Sequence, residues 1–205
     1  MGRSGELRHR GPSELAPPAR GGVRSSVVTT VPSLDDDLLT EGVPEAEFNP
    51  GIASRLPSKN VAAAALIRDG QGRVLLLEAV YKPTWVMAGG VVEANEDPHL
   101  GCTRELAEEL GLETVPGRLL VVDWVPRHGV WGDQLQFVFD GGTLSPTQID
   151  SIQLQESELR AAHWVAPEDL PSVPLAPSLL RRLVASLTAL AQGTTEYTTY
   201  GRSGR

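Results

Sequence analysis

The 205-residue chain carries 18 Lys+Arg against 26 Asp+Glu, a formal charge of −8 at pH 7, and its only cysteine is Cys102. This length accommodates one domain with an extension and a core of ordinary size. The acidic balance argues against partnership with a nucleic-acid polymer or an anionic membrane surface, and the cysteine count excludes an intrachain disulfide and, in practice, a cysteine-based zinc site.

The opening stretch MGRSGELRHRGPSELAPPARGG has no apolar h-region, and no apolar run approaches a membrane span, so a reducing, cytoplasmic setting is the expectation. Residues 1–58 mix Gly, Pro, Ser and Arg with almost no hydrophobic periodicity and read as a flexible arm, with one strand-forming island at SSVVTTVPSL. Periodic structure begins at NVAAAALIRD, and the turn signal Asp69-Gly70-Gln71-Gly72 joins it to RVLLLEAV as a β-hairpin. WVMAGGVV reads as a short strand with a Gly-Gly break. A helix is expected from Asp97 to Leu110, opened by Pro98 and stopped by Gly111. Strands follow at RLLVVDWV, LQFVFDGG and ELRAAHWV. The helix APSLLRRLVASLTALAQ places Leu179, Leu183, Leu187 and Leu190 on one face, and the tail 193–205 is expected to be mobile. Strands interrupted by one central helix and closed by another predict a single α/β domain over 59–192, a mixed sheet between helices.

The central helix poses a problem of charge. Glu105, Glu108 and Glu109 fall within a wedge of about 100°, at spacings where like charges repel, while Leu100, Thr103, Leu106, Ala107 and Leu110 occupy another arc that is free to bury. A cation would turn that repulsion into a binding site, and clustered hard oxygen ligands suit Mg²⁺ or Mn²⁺, which share their remaining positions with water and substrate phosphates. The spacing alone leaves open a plain solvated acidic face.

The flanking residues decide between these. Gly90, five residues, Glu96, seven residues, Arg104-Glu105-Leu106, one residue, Glu108-Glu109, one residue and Gly111-Leu112 together resemble the Nudix box, a match expected by chance on the order of 10⁻¹⁰ per starting point from average residue usage. The resemblance implies a Nudix-type α/β/α sandwich with a mixed β-sheet and metal-dependent hydrolysis of a nucleoside diphosphate linked to another moiety. It also implies Glu108 and Glu109 as the main metal ligands, Glu105 as a ligand or the base that prepares water, and Gly90 as a carbonyl ligand. Glu96 and Arg104 would pair to hold the loop against the helix. One departure is that Ala88-Gly89-Gly90 stands where the family often has Pro-Gly-Gly, which predicts a looser loop with the turn-permitting glycines intact.

Outside the box, many family members take a further acid from a later loop. Glu156 and Glu158 are the candidates because they precede a strand returning to the sheet, with Glu158 carried forward as catalytic; Asp133 and Asp140 are weaker. Trp131, Arg127 and His128 in the irregular RHGVWGDQ, and Tyr81 and Lys82 in YKPTW, are candidates to contact substrate, whereas Trp85, Trp124 and Trp164 read as core. The resulting expectation is a Mg²⁺-dependent pyrophosphohydrolase, acting on a nucleotide sugar such as ADP-ribose or, next, a nucleoside triphosphate. A non-catalytic nucleotide sensor and a diphosphate isomerase sharing the fold are the rivals. A homodimer is expected from family analogy alone.

Overall fold

The structure, a computed structural model, describes residue 1 and residues 34–43 and 46–204. The chain forms two compact units, Met1–Arg55 and Leu56–Arg205, which are described separately. In the first, α1 (Leu34–Thr40) and α2 (Ile52–Arg55) are short helices within the stretch whose sequence predicts a flexible arm. The Glu47 carboxylate accepts hydrogen bonds from the Gly51 and Ala53 backbone N–H groups and so starts α2. Apart from Leu34, the expected strand island at 25–34 lies outside the described residues.

The second unit is built on one mixed sheet. Its strands are β1 (Asn60–Arg68), β2 (Val74–Ala79), β3 (Ala88–Val91), β4 (Leu119–Val125), β5 (Gln134–Thr143), β6 (Leu159–Val165) and β7 (Glu196–Thr199). The spatial order is β6-β2-β1-β5-β4-β7, with β3 also paired to β1. The β1·β5 and β4·β7 pairs are parallel and the others antiparallel. The β1–β2 turn is fixed locally: the Asp69 carboxylate, 4% exposed, accepts from the backbone N–H groups of Gln71 and Arg73 and pairs with the Arg73 guanidinium.

Alternation along β1 divides the core. Ala63, Ala65 and Ile67 join Cys102, Leu106 and Leu110 of α3 (Pro98–Leu110) on one face. Leu66 faces the other way and packs with Leu179, Leu183 and Ala189 of α5 (Pro177–Gln192). The result is three layers, α/β/α, with α4 (Pro146–Asp150) inserted between β5 and β6. Among the described residues no helix is long and apolar enough to cross a membrane.

Two expectations are corrected. The tail is not loose: β7 extends the sheet beside β4, and Thr198 is fully buried. Polar Thr and Tyr conceal this strand from a hydrophobicity pattern, because its energy comes from backbone pairing and from polar groups bonded inward. The buried arc of α3 is also displaced. Leu100 is 62% exposed and Ala107 is exposed, whereas Gly101, Cys102 and Glu109 are buried. The helix therefore turns the edge of its acidic wedge toward β3, and charge and core share a boundary.

Candidate functional site

The site begins with the placement of α3. Asp97 caps its N-terminus, accepting from the His99 and Leu100 N–H groups at 2.8 and 3.3 Å, and Gly111 ends it in the left-handed conformation at φ 65°. The side chain of Arg104 then draws the acids together. Its Nε and Nη2 donate to the two oxygens of Glu96 at 2.9 and 3.1 Å, Nη1 donates to Glu105 at 2.9 Å and Glu108 at 3.0 Å, and Nη2 also reaches the Val91 carbonyl at 3.1 Å. Within the protein itself, this guanidinium offsets the repulsion among the glutamates. The Arg104 hydrogen bonds and the Glu93 N–H hold the Glu96 carboxyl down at about 2.

The loop packs closely on the helix. Gly89 has φ +133°, and a Cβ there would lie 2.2 Å from the Ala63 carbonyl oxygen. At Gly90 a Cβ would lie 2.6 Å from the Glu105 carboxylate. Gly101, which the sequence reading did not single out, is likewise compelled, since its Cβ would meet Glu96 Oε2 at 2.8 Å. Ala88, in the position expected to loosen the loop, is 1% exposed and sits in the ladder opposite Ala65. The next residue is tied down directly, as the Gly89 N–H donates to Glu109 Oε2 at 2.7 Å.

Burial gives these carboxylates unusual protonation behaviour. Glu109 is 6% exposed, and desolvation pushes it up to about 7; the Gly89 hydrogen bond opposes this, and the charges of Glu105 and Glu158 reinforce it. Burial also raises Glu105, against the pull of Arg104 and with the charges of Glu108 and Glu158 adding. Glu158 is thus felt at both Glu105 and Glu109, and Glu156 at neither. The reason is geometric: the Val80 N–H donates to the Glu158 carbonyl at 2.8 Å, and the Gln153 and Gln155 N–H groups donate to the Leu110 and Glu109 carbonyls, stitching this loop to the end of α3. Asp133 and Asp140 are engaged elsewhere, with Lys59 and Arg68 respectively.

Among the described residues no three acidic, histidine or cysteine side chains converge into a ready-made metal cage. The donor set nevertheless fits a hard divalent cation that keeps several waters: the buried Glu109 carboxylate and the half-buried Glu105, with Glu108 on the same helix and Gly90 packed against Glu105. Neutralising charge that burial has already made costly would stabilise the site.

A cleft of about 340 Å³ opens beside the Gly89-Gly90 loop, between the sheet and the start of α5. Tyr81 and Lys82 line it. Burial lowers the Lys82 ammonium pKa, opposed by the charge of Glu109; burial and then the charges of Glu109, Glu158 and Glu105 raise the Tyr81 phenol. Trp85, expected in the core, packs against it and also lines the cleft, where it stacks on His163 with ring centroids 3.8 Å apart. Trp131 and Arg127 do not line it: Trp131 is 63% exposed on a tight turn closed against His128, and Arg127 is exposed. The irregular sequence RHGVWGDQ forms the turn at the end of the β4–β5 hairpin. Gln136 and Arg182 also line the cleft, and neither carries a motif that would reveal it in the sequence.

Comparison with known proteins gives this geometry its context. The NUDIX domain family model matches residues 58–187. A MutT-like protein of Streptomyces ambofaciens is 26% identical over 121 residues, 59% of this chain and 73% of that relative. The CTP pyrophosphohydrolase of Escherichia coli is 29% identical over 141 residues, 65% of this chain and 96% of the relative. Among solved structures, the MutT protein of Methanosarcina mazei superposes with a TM-score of 0.55 at 24% identity, covering 67% of this chain and 98% of that one, a likeness of fold.

Proposed function

Since the chain belongs to the NUDIX family, whose hydrolases generally use divalent cations, we propose that it is a Mg²⁺-dependent pyrophosphohydrolase of small nucleotides. Its substrate is a nucleoside diphosphate linked to a further group, cleaved by water at the P–O–P link. The observation that carries this reading is the buried Glu109 carboxylate, raised to about 7 beside Glu105 and under the charge of Glu158, and bonded to Gly89, which lines a cleft of about 340 Å³.

A pyrophosphate resists attack because its own charge repels a nucleophile. A divalent cation, when bound, supplies shielding of that charge and polarisation of the attacking water. Glu105, Glu108, Glu109 and the Gly90 carbonyl would hold it. Glu158 or Glu105 takes the proton from water as the oxygen bonds to phosphorus and the P–O–P link opens. Arg104 and Glu96 keep the Gly89-Gly90 loop against α3, so that the carbonyl and the carboxylates stay in register. The name of the E. coli relative supports a nucleoside triphosphate as the substrate, ahead of the nucleotide sugar favoured by the sequence alone.

The test is Mg²⁺-dependent turnover of nucleoside triphosphates, nucleotide sugars and dinucleoside polyphosphates, with products identified by mass and Glu109→Gln as control. Cleavage of one class that the variant abolishes supports the reading. Nucleotide binding without cleavage would replace it with a sensor.

A further inference from the structure

The cleft contains one buried cation that the reaction scheme does not use. Arg182, on the first half of α5, has a side chain only 9% exposed and lines the cleft wall. Its Nε donates to Asp123 Oδ2 at 2.8 Å, and Nη2 lies 2.7 Å from the same oxygen. Among the described residues, Nη1 makes no hydrogen bond. The other Asp123 oxygen is fully committed, accepting from Thr198 Oγ1 at 2.7 Å and from the Gly201 N–H at 2.8 Å. Both of those donors belong to the C-terminal segment that carries β7.

We propose that Arg182 is a specificity-determining residue whose free Nη1 edge reads a neutral hydrogen-bond acceptor on the nucleotide's base, and that β7 fixes its aim through Asp123. This rests on the nucleotide reading above. A buried ion pair is seldom more stabilising than apolar residues of similar volume, so stability alone does not account for a charged pair in this wall. Arginine cannot deprotonate, and Asp123 already balances its charge. A second anion, such as a further phosphate, would have to shed its water opposite a carboxylate; a carbonyl oxygen or ring nitrogen needs only the spare donor.

The surroundings suit a heterocycle. Trp85, Met87 and Leu179 present apolar surface around the cleft. One Gln136 Nε2–H donates to Gln134 Oε1 at 3.2 Å, and the Gln136 carbonyl oxygen is left as an acceptor. Donor and acceptor within an apolar cleft match the edge of a base, and leaving such a donor unpaired is what lets a site reject the wrong one.

The experiment uses the full chain with Mg²⁺ and measures kcat and KM for the four ribonucleoside triphosphates. Inhibition by tripolyphosphate, which has the anhydride and no base, serves as the reference. Arg182→Lys keeps the charge facing Asp123 but loses the Nη1 edge; Thr198→Val removes one bond that aims Asp123. The expected result for Arg182→Lys is a KM increase of about tenfold or more for the preferred nucleotide, a smaller change in kcat, narrowed discrimination among bases and unchanged tripolyphosphate inhibition. Thr198→Val should move the same parameters in the same direction by less. Unchanged base discrimination in both folded variants overturns the inference, as does an equal loss for tripolyphosphate. Should Arg182→Lys fail to fold by circular dichroism, Thr198→Val decides alone. If the wild-type chain turns over none of the triphosphates, nucleotide sugars and dinucleoside polyphosphates, the proposed function fails; the same comparison on dissociation constants, read by tryptophan fluorescence, then decides this inference separately.

Discussion

The Gly89 backbone N–H and the Glu109 carboxylate meet at 2.7 Å, joining the strand-edge loop to the helix at the most deeply buried acid of the site. The bond supplies one partner to a carboxylate that burial would otherwise leave uncompensated, and it does so without neutralising the charge. Glu109 is therefore poised between holding a proton and holding a cation.

Glu109→Gln should separate these two demands. The amide oxygen can still accept from Gly89, so the fold is retained, but the charge is gone. Hydrolysis should fall by about a hundredfold or more, while the cation-free variant should melt above the wild type at pH 8. A variant that retains turnover would remove Glu109 from the reaction.

The same group sets a pH dependence on stability. Its folded-state value, about 7, lies above the ordinary 4.5. Between those values the folded chain holds a proton that the unfolded chain has released, so stability contributed below pH 4.5 is lost as pH rises through 7. The loss amounts to about 3 kcal/mol at most, at 1.36 kcal/mol per pKa unit. Thermal melts without divalent cation should fall from pH 5 to pH 8, and Mg²⁺ should restore more stability at pH 8 than at pH 5. An equal effect of Mg²⁺ at both pH values would show that it does not act on this carboxylate.

The two adjacent glycines should fail in different ways. Alanine at Gly89 meets fixed backbone at 2.2 and 2.5 Å with φ at +133°, so Gly89→Ala should destabilise by about 3 kcal/mol or more. Alanine at Gly90 meets only the end of the Glu105 side chain, which can swing aside. Gly90→Ala should therefore keep its melting temperature within a few degrees and lose most of its activity. Urea denaturation alongside turnover distinguishes the two.

How much of this was legible in the sequence depended on whether an element announces itself by pattern. The hairpin at Asp69, the helix from Pro98 to Gly111 and the closing helix follow from turn signals, caps and leucine spacing, and the structure has all three. Ser145-Pro146-Thr147-Gln148 held an unused signal, a capping box that starts α4. β7 left no such trace, because it is stabilised by distant partners: β4, Asp123 and the α5 backbone. The glutamates were found by motif, yet the burial of Glu109 was not, since a helical wheel places charge and core on opposite arcs and this helix packs along their boundary. Trp131 stood out for its irregular context; Trp85 gave no signal, and its place in the cleft follows from a bridge to Leu175 across the fold.

Those two tryptophans supply a direct test of the cleft. Trp131→Ala, at an exposed turn, should leave KM and stability within about twofold and 0.5 kcal/mol of the wild type. Trp85→Ala removes cleft surface and the His163 stack, and should raise KM for nucleotides by about tenfold. The reverse ranking would place the base at the β4–β5 turn.

The C-terminal segment should prove structural. Ending the chain at Gly193 removes Thr198 and Gly201, both of which donate to Asp123, a carboxylate with no exposed surface. Each hydrogen bond to a buried charge is worth about 1.5–3 kcal/mol, so the truncated chain should lose about 3 kcal/mol or more and melt at least several degrees lower. Asp123→Asn in the shortened chain should not recover this, because Arg182 then faces an uncharged partner. Gly201 makes the same point through a single atom: a Cβ there would lie 2.6 Å from the Ser178 carbonyl, so Gly201→Ala should reproduce much of the truncation's loss with the chain at full length. A truncated chain with an unchanged melting temperature would mean that this segment contributes nothing to the domain.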